Sequence, residues 1–216
     1  MARPQVVAII QARLGSSRFP RKSLVDYQGK PMIVRVVERV AMVDRIDRIV
    51  MAVPFHDNEL IDVLRDHDIK NIVRGPEDDV LVRIWLAAAV HRADVVMRVT
   101  GDCPIWSPVA GEKVLRAYLR DKQRREYWSN DTLRSGWPDG TDTEVFSFNL
   151  LKRSRYARGT IASSDREHVT SWMRRNQGDR CGMVTREMDS LSRMKLSVDH
   201  PVDLERVKAF GERIIQ

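Results

Sequence analysis

The chain has 216 residues, 43% hydrophobic and 31% charged, a length and balance that suit one soluble globular domain with a substantial core. No apolar run approaches the roughly 20 residues of a membrane-spanning helix, and Met1-Ala2-Arg3-Pro4 leads into a strand pattern without the apolar segment of a secretory signal, so a cytoplasmic location is expected. The net charge of +7 fits anionic partners, but the arginines are spread along the chain and aromatic residues make up only 6%, with no stacking stripe, so neither nucleic acid nor membrane is the expected partner.

In chain order, Val6–Ile10 reads as a buried strand that runs into a loop of cations and hydroxyls. Pro31 precedes an amphipathic helix with Ile33, Val36, Val37 and Val40 on one side. Arg48–Val53 is a second strand ended by Pro54, and Asp57 can cap a helix carrying Leu60, Ile61 and Leu64. Ile69–Val73 is a third strand, Gly75-Pro76-Glu77-Asp78 a turn, and Val80, Leu81, Ile84, Trp85 and Ala88 the buried side of a helix. Val95–Val99 is a fourth strand, followed by a helix with Val114, Leu115 and Tyr118.

Repeated units of this length predict an α/β fold, a mostly parallel sheet with helices on both faces. The alternation then loosens. Ser129–Gly140 is polar and turn-rich, Thr143–Ser147 a strand candidate, Ser164–Asn176 helical, Lys195–Val198 a late strand, and Leu204, Val207 and Phe210 mark a closing helix. Residues 1–216 are expected to form one domain, with 125–185 as an insertion that lines the second half of a site. Cys103 and Cys181 stand alone, in no metal-type pair, and are expected as reduced structural thiols.

Three constellations carry possible chemistry. The loop Gln11-Ala12-Arg13-Leu14-Gly15-Ser16-Ser17-Arg18-Phe19-Pro20-Arg21-Lys22 suits a polyphosphate: glycine lets the backbone approach, amides cradle oxygens, and Arg or Lys neutralises charge. It lacks the glycines of a Walker loop or a dinucleotide fingerprint. In Arg98-Val99-Thr100-Gly101-Asp102-Cys103-Pro104, Asp102 is either a strand-end ligand for a hard cation or a turn residue. In Ser197-Val198-Asp199-His200-Pro201, Asp199 is either a second such ligand or a helix cap. Two lone carboxylates at strand ends beside a cationic loop suggest one shared Mg²⁺ if the strands are neighbours.

Residues 11–24 resemble the signature of the nucleotide-sugar cytidylyltransferases, which include the CMP-sialic acid synthetases and the 3-deoxy-manno-octulosonate cytidylyltransferases. The spore coat polysaccharide biosynthesis protein F type is the nearest in pattern. The resemblance continues through Arg74-Gly75, Asp79-Val80-Leu81, Arg98–Pro104, Ser129-Asn130, Gly140–Phe146, Arg166–Thr170 and Val198-Asp199-His200-Pro201. It implies a GT-A-like nucleotidyltransferase fold, CTP as donor, Mg²⁺ as cofactor, pyrophosphate as leaving group and, by analogy, a homodimer.

By position it implies that Ala12, Arg13, Gly15, Ser16, Arg18, Lys22, Arg74 and Asp102 bind nucleotide, that Arg13, Lys22 and Asp102 are catalytic, and that Asp102 and Asp199 hold metal. Two departures stand out. Arg21 follows Pro20 where glycine is common, and His200 stands where Thr or Glu is common.

Two further clusters remain. Asp142 and Glu144 share a face if extended, and either bind acceptor groups or form a solvated strand edge. Arg166 can clamp an acceptor anion, Glu167 can orient Arg166, and His168, expected on the acceptor side, is either a base or a packing residue. Trp128 and Trp137 either wall the acceptor pocket or pack. The expected activity is CMP transfer from CTP to an acidic sugar or small phosphorylated acceptor. Uridylyl or guanylyl transfer on the same fold, and more remotely nucleic-acid binding, are the alternatives.

Overall fold

The computed structural model describes residues 3–130, 135–157 and 162–211. The expected turn-rich stretch 129–140 therefore lies partly outside them, at 131–134.

Strands β1 (Val6–Gln11), β4 (Arg48–Pro54), β5 (Ile72–Gly75) and β6 (Val95–Thr100) are parallel neighbours. β2 (Asp26–Tyr27) and β3 (Lys30–Pro31) form a separate small ribbon. β7 (Tyr127–Ser129), β8 (Glu144–Ser147) and β9 (Cys181–Met183) extend the main sheet, which has seven strands in the order β5-β4-β1-β6-β8-β7-β9. β8 runs against both of its neighbours; β7 and β9 are parallel.

The strands read as near-continuous apolar runs because both faces are covered. On one face, Ala8, Ile10, Met51 and Met97 pack against α1 (Met32–Val40), α2 (Asn58–Asp66) and α4 (Pro108–Asp121). On the other, Val7, Ile9, Val96 and Phe146 meet α3 (Val80–Val90) and α5 (Phe148–Tyr156). α8 (Pro201–Phe210) closes a third cluster through Leu204 and Val207 over Tyr27, Met32 and Ile105.

The expected helix over 164–176 is two: α6 (Ser163–His168) and α7 (Ser171–Gln177). Between them Val169 is fully buried at φ 64°, a left-handed conformation that a β-branched residue resists and that ends the helix. Lys195–Val198 is not a ladder strand. Lys195 makes one isolated bridge, to Asp139, and Leu196 and Val198 turn into the α8 cluster.

Candidate active site

After β1 the chain builds β4 and β5 on one side of that strand and then crosses to β6 on the other. The carboxyl ends of β1 and β6 therefore flank the crevice where the sheet changes direction, the usual ligand position of such sheets. Gly101 makes the two ends fit. Its amide donates to the Gln11 carbonyl at 2.9 Å, and a Cβ there would lie 2.7 Å from that oxygen.

The loop leaving β1 is held by polar contacts with its neighbours in addition to the packing of Leu14 and Phe19. The Leu14 amide donates to Asp57 Oδ2 at 2.8 Å, and Ser23 Oγ donates to the Arg13 carbonyl at 3.2 Å. Asp57 occupies the position before α2, as expected, but its carboxylate anchors this loop instead of capping the helix. The loop ends at Arg21 with φ 59° and ψ 19°. That conformation costs most side chains about 1–2 kcal/mol and is one that glycine adopts freely.

Lys22 follows, and its ammonium sits between two carboxylates from distant parts of the chain. Nζ donates to Asp102 Oδ2 at 2.9 Å, to Asp199 Oδ1 at 3.3 Å and to the Val198 carbonyl at 2.8 Å. The two acidic segments are themselves joined, since the Val198 amide donates to the Asp102 carbonyl at 2.8 Å. Asp199 also accepts from Arg18 at 2.8 Å and pairs with Lys195 at 3.0 Å.

Burial pushes the Asp199 carboxyl upward. The hydrogen bond from Lys195 and the charge of Lys22 outweigh it and hold it below the usual range. Asp199 does not cap α8. Asp203 does, accepting from the amides of Asp199 and His200 at 2.9 Å each, which leaves the Asp199 side chain in the cleft.

The resulting cleft measures about 270 Å³. It gathers Ala12, Arg13, Ser16, Arg18, Lys22, Asp102, His168 and Asp199 of the expected residues. Two carboxylates on one small cation are a hard-oxygen donor pair of the kind Mg²⁺ takes. Among the described residues no group of three or more His, Cys, Asp or Glu side chains is placed to cage a metal. The pair fits an ion that draws its remaining ligands from phosphate and water.

A second cavity of about 230 Å³ adjoins the first, sharing Arg98 and Thr100 and adding Ser129, Asp142, Thr143, Glu144 and Arg174. Asp142 and Glu144 thus face one space, but not at a solvated edge. Glu144 opposes Arg98 across β6–β8 and is almost fully buried. Its carboxylate takes hydrogen bonds from Arg98, from Arg174 at 2.8 Å, from Tyr127 at 2.7 Å and from Thr170 at 2.5 Å. Burial alone would push this acid up; the two guanidiniums and the hydroxyl bring it down to about 2. Arg98 also donates to Gln11 Oε1 at 2.9 Å, so one polar row runs from the first cavity to the second.

Three expected residues fall outside both cavities. Arg74, two strands away from β1, turns to the Phe55 carbonyl and Asn58, each at 3.0 Å. Gly15 lies against the Glu77 carboxylate. Arg166 pairs with Asp79 at 2.6 Å, and Glu167 approaches Arg13 at 3.8 Å rather than orienting Arg166. The tryptophans pack: Trp128 lies against Gly182 and Trp137 takes Lys113 and Arg186 over its ring. Neither cysteine is bonded to another. Cys103 is buried next to Asp102, and burial drives its thiol well above the ordinary range, an inert state.

Sequence reasoning left Gln11, Arg98, Thr100 and Arg174 without roles. The first three carried a readable signal, polar side chains at the end of otherwise apolar strands, which need buried partners. Arg174 carried none, since it resembles any helix-surface arginine until Val169 breaks the helix.

The sequence pattern of the cytidylyltransferase family matches residues 7–212. The spore coat polysaccharide biosynthesis protein SpsF of Bacillus subtilis is 28% identical over 96% of this chain and 87% of its own. A 3-deoxy-manno-octulosonate cytidylyltransferase of Anaeromyxobacter is 39% identical, but over 52% of this chain and only 46% of that protein, so the likeness spans under half of that relative. The solved structure of a cytidylyltransferase from Leptospira borgpetersenii superposes with a TM-score of 0.87, at 23% identity, over 96% of this chain and 86% of that one. The fold is thus shared with that structure, and since the family pattern spans nearly every described residue, this chain belongs to the cytidylyltransferase family.

Proposed function

We propose that the protein transfers CMP from CTP to an oxygen of an acidic sugar or small phosphorylated acceptor and releases pyrophosphate. The observation that carries this reading is the Lys22–Asp102–Asp199 junction inside a cleft that also holds Arg13, Ser16 and Arg18. The relatives named for sugar-acid cytidylyl transfer and for spore coat polysaccharide support the substrate class.

The triphosphate would lie along the loop after β1, its charge met by Arg13, Arg18 and Lys22 and by the exposed amides of that loop. Asp102 and Asp199 would hold Mg²⁺, which when bound supplies polarisation of the α-phosphoryl oxygen. Arg18 and Lys22 stabilise the charge that grows on the departing pyrophosphate, and catalysis is mainly positioning plus electrostatics. The second cavity adjoins the first through Arg98 and Thr100 and is assigned to the acceptor, with Asp142 turned to its hydroxyls. Glu144, fully engaged by protein partners, fixes Arg98 and Arg174 there rather than meeting the acceptor. His168 lines the nucleotide cleft and is assigned to the donor side.

Pyrophosphate release with CTP across a panel of acidic sugars and phosphorylated metabolites tests this. A CTP-dependent signal with one acceptor class is expected. Lys22→Ala and Asp102→Asn should each lower it by about 10²–10³, the usual cost of losing one preorganised transition-state contact, with an unchanged circular dichroism spectrum. Release at the unmodified rate in both variants would refute the site.

A further inference from the structure

The ammonium of Lys22 occupies the position a divalent cation needs. All three of its N–H donors are engaged, by Asp102, Asp199 and the Val198 carbonyl, and its side chain is only 13% exposed. A Mg²⁺ ion bound by both carboxylates stands about 2.0–2.1 Å from each oxygen. Where the ion takes Asp102 Oδ2 and Asp199 Oδ1, an ammonium that keeps its hydrogen bonds to those oxygens is crowded and repelled by it. The two carboxylates differ in what they would lose. Asp199 keeps Arg18 and Lys195, at 2.8 and 3.0 Å. Among the described residues the cation paired with Asp102 is Lys22.

We propose that Lys22 is the resident counter-ion of this carboxylate pair and keeps a divalent cation out of it until a triphosphate draws the ammonium away. The proposal rests on the reading that Asp102 and Asp199 hold the metal.

Lys22 stands at the end of the loop whose Arg13, Ser16 and Arg18 line the same cleft, so the phosphates arrive within reach of its flexible stem. The exchange keeps charge matched throughout: the ammonium passes from carboxylate to phosphate as the metal passes onto the carboxylates. Metal and nucleotide then favour one another's binding by the same factor, as linkage requires. A free metal ion has to displace the ammonium with no phosphate there to receive it.

Binding of Mn²⁺ alone, followed by calorimetry and by the resonance of the free ion, tests this on the full chain without nucleotide. Lys22→Met and Lys22→Gln are expected to bind Mn²⁺ at least about tenfold more tightly than the unmodified protein, within the range usual for coupled sites. The second variant loses the charge but keeps a donor for the Val198 carbonyl, which guards against misfolding of the first. Lys195→Met removes the same charge from beside Asp199 without emptying the space between the carboxylates, and is expected to gain much less.

Equal affinity in the Lys22 variants and the unmodified protein overturns the proposal, as does an equal gain in Lys195→Met. The underlying metal assignment is read separately, with CTP present. If Asp102→Asn then loses Mn²⁺ while the Lys22 variants show no gain without CTP, the metal site stands and the exchange falls. If Asp102→Asn with CTP binds Mn²⁺ as the unmodified protein does, both fall.

Discussion

Glu144 is the residue on which the second cavity depends, and its chemistry differs from that of Asp142 two positions earlier. A carboxylate facing two guanidiniums and two hydroxyls is committed to protein partners, and its removal leaves Arg98, little exposed, without its opposing charge. Glu144→Gln is expected to lower stability by about 3–5 kcal/mol at neutral pH, the usual cost of breaking a buried pair from one side, measured by chemical denaturation. The pH dependence has a definite sign. The folded acid sits at about 2, below its ordinary 4.5, so its stabilisation is complete above about 4.5 and is lost as pH falls toward 2. The gap between the unmodified protein and the variant should therefore close across that interval; a constant gap would mean that Glu144 stabilises by packing alone.

At the scale of elements, α4 shows how packing overrides local propensity. Gly111 lies in its interior, where alanine ordinarily adds about 1 kcal/mol. A Cβ there would stand 2.3 Å from the Trp106 ring and 2.7 Å from Met97 Cε, both fully buried. Gly111→Ala is expected to destabilise by about 1–3 kcal/mol, as overpacking does, seen as a lowered melting temperature. The disturbance would reach the second cavity, because Trp106 Nε1 donates to the Asp142 carbonyl at 3.2 Å and to Thr143 Oγ1 at 3.1 Å.

The same scale explains what the sequence made legible. β1, β4, β6, α1 and α3 were readable because each carries a long apolar run or a helical period of its own. β7 and β9 were not. Each has three residues, and β9 pairs with a strand more than fifty positions earlier, so neither declares itself locally. α5 was missed too, though Ser147 caps it through the Leu150 amide at 3.0 Å. In the candidate cleft, Asp102 was readable as a polar residue just past a strand and Lys22 as a cation in a loop with few apolar residues, whereas Asp199 follows a segment that forms no ladder strand. Arg74 and Arg166 were assigned by likeness of motif, and motif likeness does not fix the direction of a long side chain with a nearer partner.

For the whole molecule, the basic side chains of the cleft meet carboxylates: Arg13, Arg18 and Lys22 each pair with an acid there. A polyanion entering there exchanges partners rather than meeting bare charge, which favours a ligand arriving with its own cation. Thermal denaturation with Mg²⁺ and each nucleoside triphosphate checks donor choice. CTP at about 100 times its dissociation constant adds roughly 2.7 kcal/mol, or about 5–10 °C for a chain of this size. A larger shift with GTP would exclude cytidylyl transfer.

The reversed direction of β8 has a consequence for how such a protein can diversify. The first cavity hangs on the ends of β1 and β6, where the chain leaves the sheet. The second hangs on residues 139–144, where the chain enters it, because an antiparallel strand begins where its neighbours finish. Exit loops and an entry loop are separate stretches of polypeptide with separate anchors. Substitutions in the entry loop can remould the second chamber and leave the first in register, so a change in what the one chamber accepts need not disturb the other.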